Sequence, residues 1–291
     1  MNEILFVKKT VNKTIMTIGV DLGGTNIRCG LVDNGRVVTK LSEPCLSDKP
    51  EHEVLEQLER LISQLVNPHV EGIGIGVPSV VDMQKGIVYN VANIPSWKEV
   101  HLKDILETKF KLPVSVNNDS NCFALGEHSC GLGKPFRNML GVTLGTGVGA
   151  GVIINNELYS GSNTGAGEVG CLPYREHNLE YYCGSNFFVK FHGTTGKEAA
   201  RAANSGDARA LKIWEEFGAH MGMLVQAILY AYDPDAIIFG GGIASAYPFF
   251  SASMKEAMAG FDYPETLKKL QILISNQEDI SLLGAAQLVK K

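Results

Sequence analysis

Five short stretches of this chain combine carboxylates, amides and glycines in ways that suit the handling of a phosphate and a polyol. In Asp21-Leu22-Gly23-Gly24-Thr25-Asn26 a carboxylate closes a predicted strand and two glycines follow in a turn. Such a turn can point backbone N–H groups at a phosphate, and glycine lets the backbone come close. The Asp21 carboxylate suits a hydrated Mg²⁺. A plain hairpin with an acidic corner has the same sequence. Leu144-Gly145-Thr146-Gly147-Val148-Gly149-Ala150-Gly151 has the glycine spacing of a dinucleotide fingerprint. A strand is expected after it, where the fingerprint requires a helix, so a second phosphate hairpin facing the first fits better. No G-x-x-x-x-G-K-[ST] sequence is present.

The third stretch is Asn117-Asn118-Asp119-Ser120-Asn121. A carboxylate at the C-terminal end of an interior strand, opening into a helix, lies where α/β folds place their reacting groups. Asp119 could accept a proton from a substrate hydroxyl. Capping of the following helix is compatible with that role. The fourth, Ile237 to Ile243, puts Gly240, Gly241 and Gly242 after a buried strand. A flat ligand such as an adenine could lie on that backbone, although a turn before a helix would look alike. The fifth, Gly165-Ala166-Gly167-Glu168-Val169-Gly170-Cys171, flanks Glu168 with glycines. That carboxylate could receive sugar hydroxyls or could sit in solvent.

The elements that must hold these groups follow from periodicity. Met16 to Val20, Ile27 to Val32 and Arg36 to Leu41 read as an antiparallel meander, with Asn34-Gly35 as a hairpin turn. Glu51 to Val66 reads as a helix with Val54, Leu58, Leu61, Ile62 and Leu65 on one face, stopped by Pro68. Val70 to Val77 and Val114 to Val116 read as interior strands, and His101 to Phe110 as a short helix. Met139 to Leu144 and Val148 to Ile154 form a second strand–glycine turn–strand unit ending in the hairpin pair Asn155-Asn156. The pattern therefore occurs twice, which suggests duplication. Ser160 to Cys183 is irregular, and Asp207 to Tyr232 is the strongest helix, with Asp207 as its cap. Ala236 to Phe239 is a strand, and a last helix runs from Ile280 or Ser281 to Lys290.

Composition narrows the function. The 291 residues carry a net charge of −5 and 45% hydrophobic residues, which opposes a disordered chain and a dedicated nucleic-acid binder. The 32 glycines show no collagen period. Cys29, Cys45, Cys122, Cys130, Cys171 and Cys183 include no C-x-x-C pair and read as reduced thiols of a cytoplasmic protein. No membrane-length apolar run is present, and residues 1–15 lack the apolar region of a signal peptide.

The order of the five stretches resembles the actin-like ATPase superfamily, and within it the glucokinase-type members of the ROK family (repressors, open reading frames and sugar kinases). The resemblance runs from Met16 to Lys290 and includes Ser281-Leu282-Leu283-Gly284-Ala285-Ala286 as the C-terminal connecting helix. It implies an α/β chain with a two-domain, ribonuclease H-like fold and a cleft between duplicated halves. Residues 16–119 plus 280–291 would form one domain and 120–279 the other.

The resemblance also implies a hexokinase acting on glucose or a related hexose, with Asp119 as general base on the 6-hydroxyl and Mg-ATP as donor. Asp21, Gly23, Gly24, Thr25, Asn26, Gly145, Thr146, Gly147 and Gly240 to Gly242 would bind ATP; Asn93, Asn118, Asp119 and Glu168 would bind the sugar. N-acetylglucosamine, N-acetylmannosamine, mannose, fructose and allose are alternative substrates. The expected setting is cytoplasmic hexose metabolism, in a homodimer without nucleic-acid or membrane partners, the cleft closing on sugar. A sugar-sensing transcriptional regulator is the alternative of another class; the 20 residues before Asp21 show no two-helix pattern, which disfavours it. A conformational ATPase is a third class, disfavoured by the Asn118-Asp119 pair with Glu168.

One segment departs from the family pattern of E-x-G-H followed by C-x-C-G-x-x-G-C-x-E, whose His and three Cys bind zinc. Here Cys171 stands at the His position, only Cys183-Gly184 is kept, Tyr181 and Phe188 replace two cysteines, and Lys190 replaces the glutamate. Two thiols do not make a four-ligand site, so no zinc is expected. His177 is the one nearby residue that could complete a variant site. Tyr181, Tyr182, Phe187 and Phe188 are expected to fix this segment by packing instead.

Overall fold

The structure is a computed structural model that describes residues 15–91 and 93–289. Residues 1–14 of the expected N-terminal extension, and the expected helix end at Lys290, lie outside the described residues.

The first half opens with β1 (Met16–Leu22), β2 (Asn26–Asp33) and β3 (Arg36–Pro44) as the expected meander. Asn34 and Gly35 turn the second hairpin at φ 48° and 74°, the left-handed region that a two-residue turn of this hand requires. Helix α1 (Glu51–Ser63) buries Val54, Leu58, Leu61 and Ile62, and stops short of the expected Val66. Pro68 pushes Asn67 out of helical space, and the Asn67 carbonyl instead accepts the Val70 N–H that begins β4 (Val70–Val77). Three strands too short to show any period follow: β5 (Val80–Asp82), β6 (Ile87–Tyr89) and β7 (Glu99–Val100). They form a small antiparallel sheet that the sequence reading did not contain. Then come α2 (Leu102–Phe110), β8 (Val114–Asn118) and α3 (Asp119–Cys130).

The second half repeats the plan. β9 (Met139–Leu144), β10 (Val148–Ile154) and β11 (Glu157–Leu158) form a meander. Asn155 and Asn156 turn its second hairpin at φ 55° and 68°. The segment expected to be irregular holds the short pair β12 (Pro173–Tyr174) and β13 (His177–Asn178) and the helix α4 (Leu179–Cys183). After α5 (Gly196–Asn204) comes α6 (Ala208–Tyr232), capped as expected by Asp207, whose Oδ1 accepts the Ala210 N–H at 2.7 Å. β14 (Ala236–Gly240), α7 (Tyr247–Met258), α8 (Pro264–Lys269), β15 (Gln271–Ile274) and α9 (Ile280–Gln287) complete the chain. Helix α5 carried a legible start signal, because Thr195 and Glu198 form a reciprocal capping box.

The two large sheets have the orders β3-β2-β1-β4-β8 and β11-β10-β9-β14-β15. Each is a meander whose first strand, β1 or β9, pairs in parallel with a fourth strand, β4 or β14, which pairs in parallel with a fifth, β8 or β15. The expected duplication is therefore present in strand order, and the fold is the two-sheet, actin-like architecture. One core lies under α1 and α2, with Trp97 fully buried in it. A second lies under α6 and α7 and is aromatic. Helices α3 and α9 pack together between the sheets, their backbones close enough that a Cβ at Gly126 or Gly284 would strike the Ile280 or Cys122 carbonyl. Much of the glycine content thus serves close helix and strand packing as well as turns.

Candidate active site

The first glycine turn is closed by the Gly23 N–H to the Asn26 carbonyl, 3.0 Å. Its hairpin register sets Asp21 opposite Arg28, whose guanidinium Nη2 donates to Asp21 Oδ2. Arg28 Nη1 also donates to the Glu278 carbonyl at 3.2 Å, tying β2 to the linker before α9. Arg28 was missing from the sequence-derived candidates, although the hairpin register alone places it across from Asp21. Asn93 abuts Gly24 so closely that a Cβ there would collide with it. The Asn93 loop is itself anchored by the buried Ile94 and Trp97.

Asp119 is the first residue of α3, and the cap falls one residue earlier. Asn118 Oδ1 accepts the N–H groups of Ser120 and Asn121 at 2.9 and 3.3 Å. Capping occupies that oxygen, and Asn118 Nδ2 lies 3.4 Å from the Ser79 carbonyl it donates to. Asp119 Oδ1 accepts the Ser120 N–H at 2.8 Å, and Ser120 Oγ lies 3.2 Å from Thr143 Oγ1 on β9. The base candidate is thereby linked to both halves. Burial, and then the Asp21 charge, push the Asp119 carboxyl up to about 7, against the lowering effect of the Ser120 hydrogen bonds.

A cavity of about 410 Å³ is lined by Asp21, Arg28, Asp119, Thr143, Gly240 and Gly241, and by the linker from Ser275 into α9. Of the sequence-derived candidates, Asp21, Asp119, Gly240 and Gly241 share this wall; the others lie outside it. Gly240 and Gly241 have internal reasons to be glycine. The Phe123 ring occupies the space of a Gly240 side chain, and Gly241 sits at φ 87° against the Leu144 carbonyl. At Gly242 nothing lies within 4 Å, so that position alone is open.

The second glycine turn is held differently. The Gly145 N–H bonds the Gly147 carbonyl at 3.0 Å, and the segment after β13 braces it from outside. Glu180 Oε2 accepts the Val148 N–H at 2.9 Å and packs against Gly147. The Ser185 N–H donates to the Gly145 carbonyl at 3.0 Å, and Ser185 Oγ to the Thr146 carbonyl at 3.1 Å. The sequence carried no signal for Glu180 or Ser185. In both turns backbone donors remain free: the N–H groups of Gly24, Thr25, Thr146 and Gly147 have no partner among the described residues. Free N–H groups on paired turns are suited to phosphate oxygens.

Glu168 is exposed on the loop after β11, and the Cys171 thiol donates to its Oε2 at 3.6 Å. The residues around Cys183 do not fit zinc. Cys183 is fully buried with its thiol pushed well above the usual range, Cys171 is exposed, and His177 stacks on Tyr181 with ring centroids 3.9 Å apart. Among the described residues no group of three or more metal-ligating side chains is placed to hold an ion. Aromatic packing fills the segment as expected. Phe188 lies against Trp214 at 4.7 Å and Phe187 against Phe217 at 5.4 Å. Tyr182 lies against His220 at 5.0 Å. Burial, then the charges of Arg175 and His192, hold His220 down at about 4, so it is neutral here. The Tyr174 hydroxyl lies 3.1 Å from its Nδ1.

The ROK family model matches residues 17–187 and 189–291 of this chain. A glucokinase of Halalkalibacterium halodurans is 29% identical, the match covering 94% of each chain. A xylose repressor of Bacillus spizizenii is 27% identical over 94% of this chain and 76% of its own. The crystal structure of a ROK family glucokinase from Streptomyces griseus, in complex with glucose and AMPPNP, superposes with a TM-score of 0.80. It is 27% identical and the match covers 94% of this chain and 98% of that one. No helix among the described residues is long and apolar enough to cross a membrane.

Proposed function

The chain belongs to the ROK family, and we propose that it is an ATP-dependent sugar kinase moving the γ-phosphate of Mg-ATP to the 6-hydroxyl of glucose or a closely related hexose, with Asp119 as general base. The observation that carries this reading is Asp119 itself: a carboxylate at the start of α3, on the wall shared with Asp21, with its carboxyl raised to about 7. A base tuned near the working pH is what removal of a hydroxyl proton asks for. A relative's complex with glucose and an ATP analogue, on the same fold, supports both ligands.

The chain's own groups divide the work. Ser120 holds Asp119 Oδ1, and the other carboxylate oxygen, to which no side chain among the described residues donates, is left for the sugar hydroxyl. As the hydroxyl oxygen attacks the γ-phosphorus in line, Asp119 takes its proton, and the bond from that phosphorus to the bridging oxygen breaks, so ADP leaves. The free N–H groups of Gly24, Thr25, Thr146 and Gly147 receive phosphate oxygens, so positioning and fixed dipoles do most of the catalysis. Gly23 and Asn26 close the first turn, and Gly145 the second; Gly240 to Gly242 face the adenosine. Asn93, the Asn118 amide nitrogen and Glu168 read the other sugar hydroxyls.

Asp21 uses only Oδ2 in its pair with Arg28. Its Oδ1 is left for the water shell of a magnesium ion, a hard-oxygen role that fits this residue. Magnesium, when bound with the nucleotide, neutralises phosphate charge. We place the enzyme in cytoplasmic hexose metabolism, as a homodimer.

The test is ADP release from Mg-ATP across glucose, mannose, fructose, allose and the N-acetylhexosamines, with Asp119→Asn alongside. Sugar-dependent turnover should fall by about 10²–10⁴-fold in the variant. Since Asp119 must be ionised, kcat/KM of the wild type should drop as pH falls through about 7. A folded carboxyl raised above its unfolded value of about 3.9 favours the fold below that pH and loses this contribution as pH rises through about 7. Asp119→Asn should therefore melt higher than the wild type at pH 8, which separates lost chemistry from lost folding. Absence of turnover on every sugar would remove the kinase reading and leave the regulator.

A further inference from the structure

Thr164 is the one β-branched residue at positive φ among the described residues, at 57°. A branched side chain there is strained, because its Cβ substituents crowd the backbone at that φ. Its neighbours on the loop, Gly161 and Gly167, also adopt positive φ but as glycines do so freely. Thr164 is 3% exposed, and its Oγ1 accepts the N–H of Val81 at 2.9 Å. Val81 lies in β5, an edge strand of the small sheet in the first half, and is itself fully buried. Without Thr164 that edge N–H would be buried and unpaired.

The same loop has two further fixed points. Asn117 Nδ2 donates to Ser160 Oγ at 3.2 Å in a buried contact, one residue from the cap of α3. Gly167 sits against the Ala150 carbonyl of β10, where a Cβ would not fit. Glu168 follows directly. Its loop is thus fastened to the first half at Ser160 and Thr164, and to its own half at Gly167.

We propose that Thr164 is a positioning residue for the sugar: its bond to Val81 holds the loop bearing Glu168 against the half bearing Asn93 and Asp119, and so sets the width of the hexose pocket. The inference rests on the sugar-kinase reading and adds a residue to it. The strained backbone brings the Thr164 hydroxyl to the Val81 N–H that it satisfies. Glycine would relax the backbone and lose the bond, valine would keep the shape and lose the bond, and serine would keep the bond with less strain.

Steady-state kinetics of Thr164→Gly, Thr164→Val and Thr164→Ser, with melting curves for each, test this. Loss of the bond should raise KM for the preferred hexose roughly tenfold in the Gly and Val variants. KM for ATP should stay within about twofold, and the Ser variant should match the wild type in both. The melting curves separate a structural role from a positioning one. Thr164→Gly relieves strain, so it should fold and still bind hexose poorly. Wild-type turnover with hexose KM unchanged in both the Gly and Val variants would overturn the proposal alone. Absence of hexose-dependent turnover in the wild type would overturn the kinase reading and this proposal with it.

Discussion

The two glycine turns occupy equivalent places in the duplicated halves, yet each is held by different means. The first, Gly23 to Asn26, carries its own carboxylate one turn-length away, and the partner of Asp21 is Arg28 across the same hairpin. The second, Gly145 to Gly147, has no acidic residue of its own. Its carboxylate is Glu180, which arrives from α4 and bonds the Val148 N–H without a cationic partner among the described residues. The first carboxylate lines the cavity and raises the carboxyl of Asp119; the second faces the outside of its turn and acts as a staple. Equivalent backbone in a duplicated fold can therefore be stabilised from within one hairpin or from a segment far along the chain. Only the first arrangement also supplies a charge to the site.

Substitutions should separate these two roles. Asp21→Asn should have the largest effect, lowering kcat/KM by roughly 10²-fold through weaker stabilisation of the transferring phosphoryl charge. It should also move the acid limb of the pH profile below its place near 7, because one of the two influences raising Asp119 is a like charge, and burial, the greater one, remains. An unshifted limb would show that Asp21 does not act on Asp119.

Glu180→Ala should come next. It leaves the buried Val148 N–H unpaired, a cost of about 1–3 kcal/mol, so KM for ATP should rise roughly tenfold and the melting temperature should fall. Its hexose KM and its pH limb should match the wild type. A shifted limb, or a loss as deep as that of Asp21→Asn, would break the distinction between charge and staple. Ser185→Ala should be smallest, about two- to threefold in KM for ATP, because its backbone N–H still bonds the Gly145 carbonyl. An effect equal to that of Glu180→Ala would place the staple in the Ser185 hydroxyl.

The aromatic segment after the second turn gives the same lesson from packing. The four rings Tyr181, Tyr182, Phe187 and Phe188 stand where a zinc-binding pattern would lie, and the replacement of two cysteines by Tyr181 and Phe188 was legible from residue types. Their partners were not. Trp214, Phe217 and His220 come from α6, a helix whose range was legible but whose contact with this segment was not. Because Glu180 and Ser185 belong to this segment, its packing is mechanically joined to the second turn.

The sequence alone determined the features that depend on a few neighbouring residues. These are the hairpins at Asn34-Gly35 and Asn155-Asn156, the Asp207 cap, the paired glycine turns and the strand that delivers Asp119. Turn chemistry, capping and alternation act over two to seven residues, so they are written locally. Tertiary structure decided what depends on the meeting of distant segments. It put Arg28 and the linker before α9 on the wall with Asp119, gave the second turn its carboxylate from α4, and set Thr164 on β5 through a bond spanning 83 positions. The raised carboxyl of Asp119 belongs with these, since burial and the approach of Asp21 exist only once β1, β8 and α3 have packed. A residue's type fixes which bonds it can make, and only the fold fixes its distance from the group that completes them.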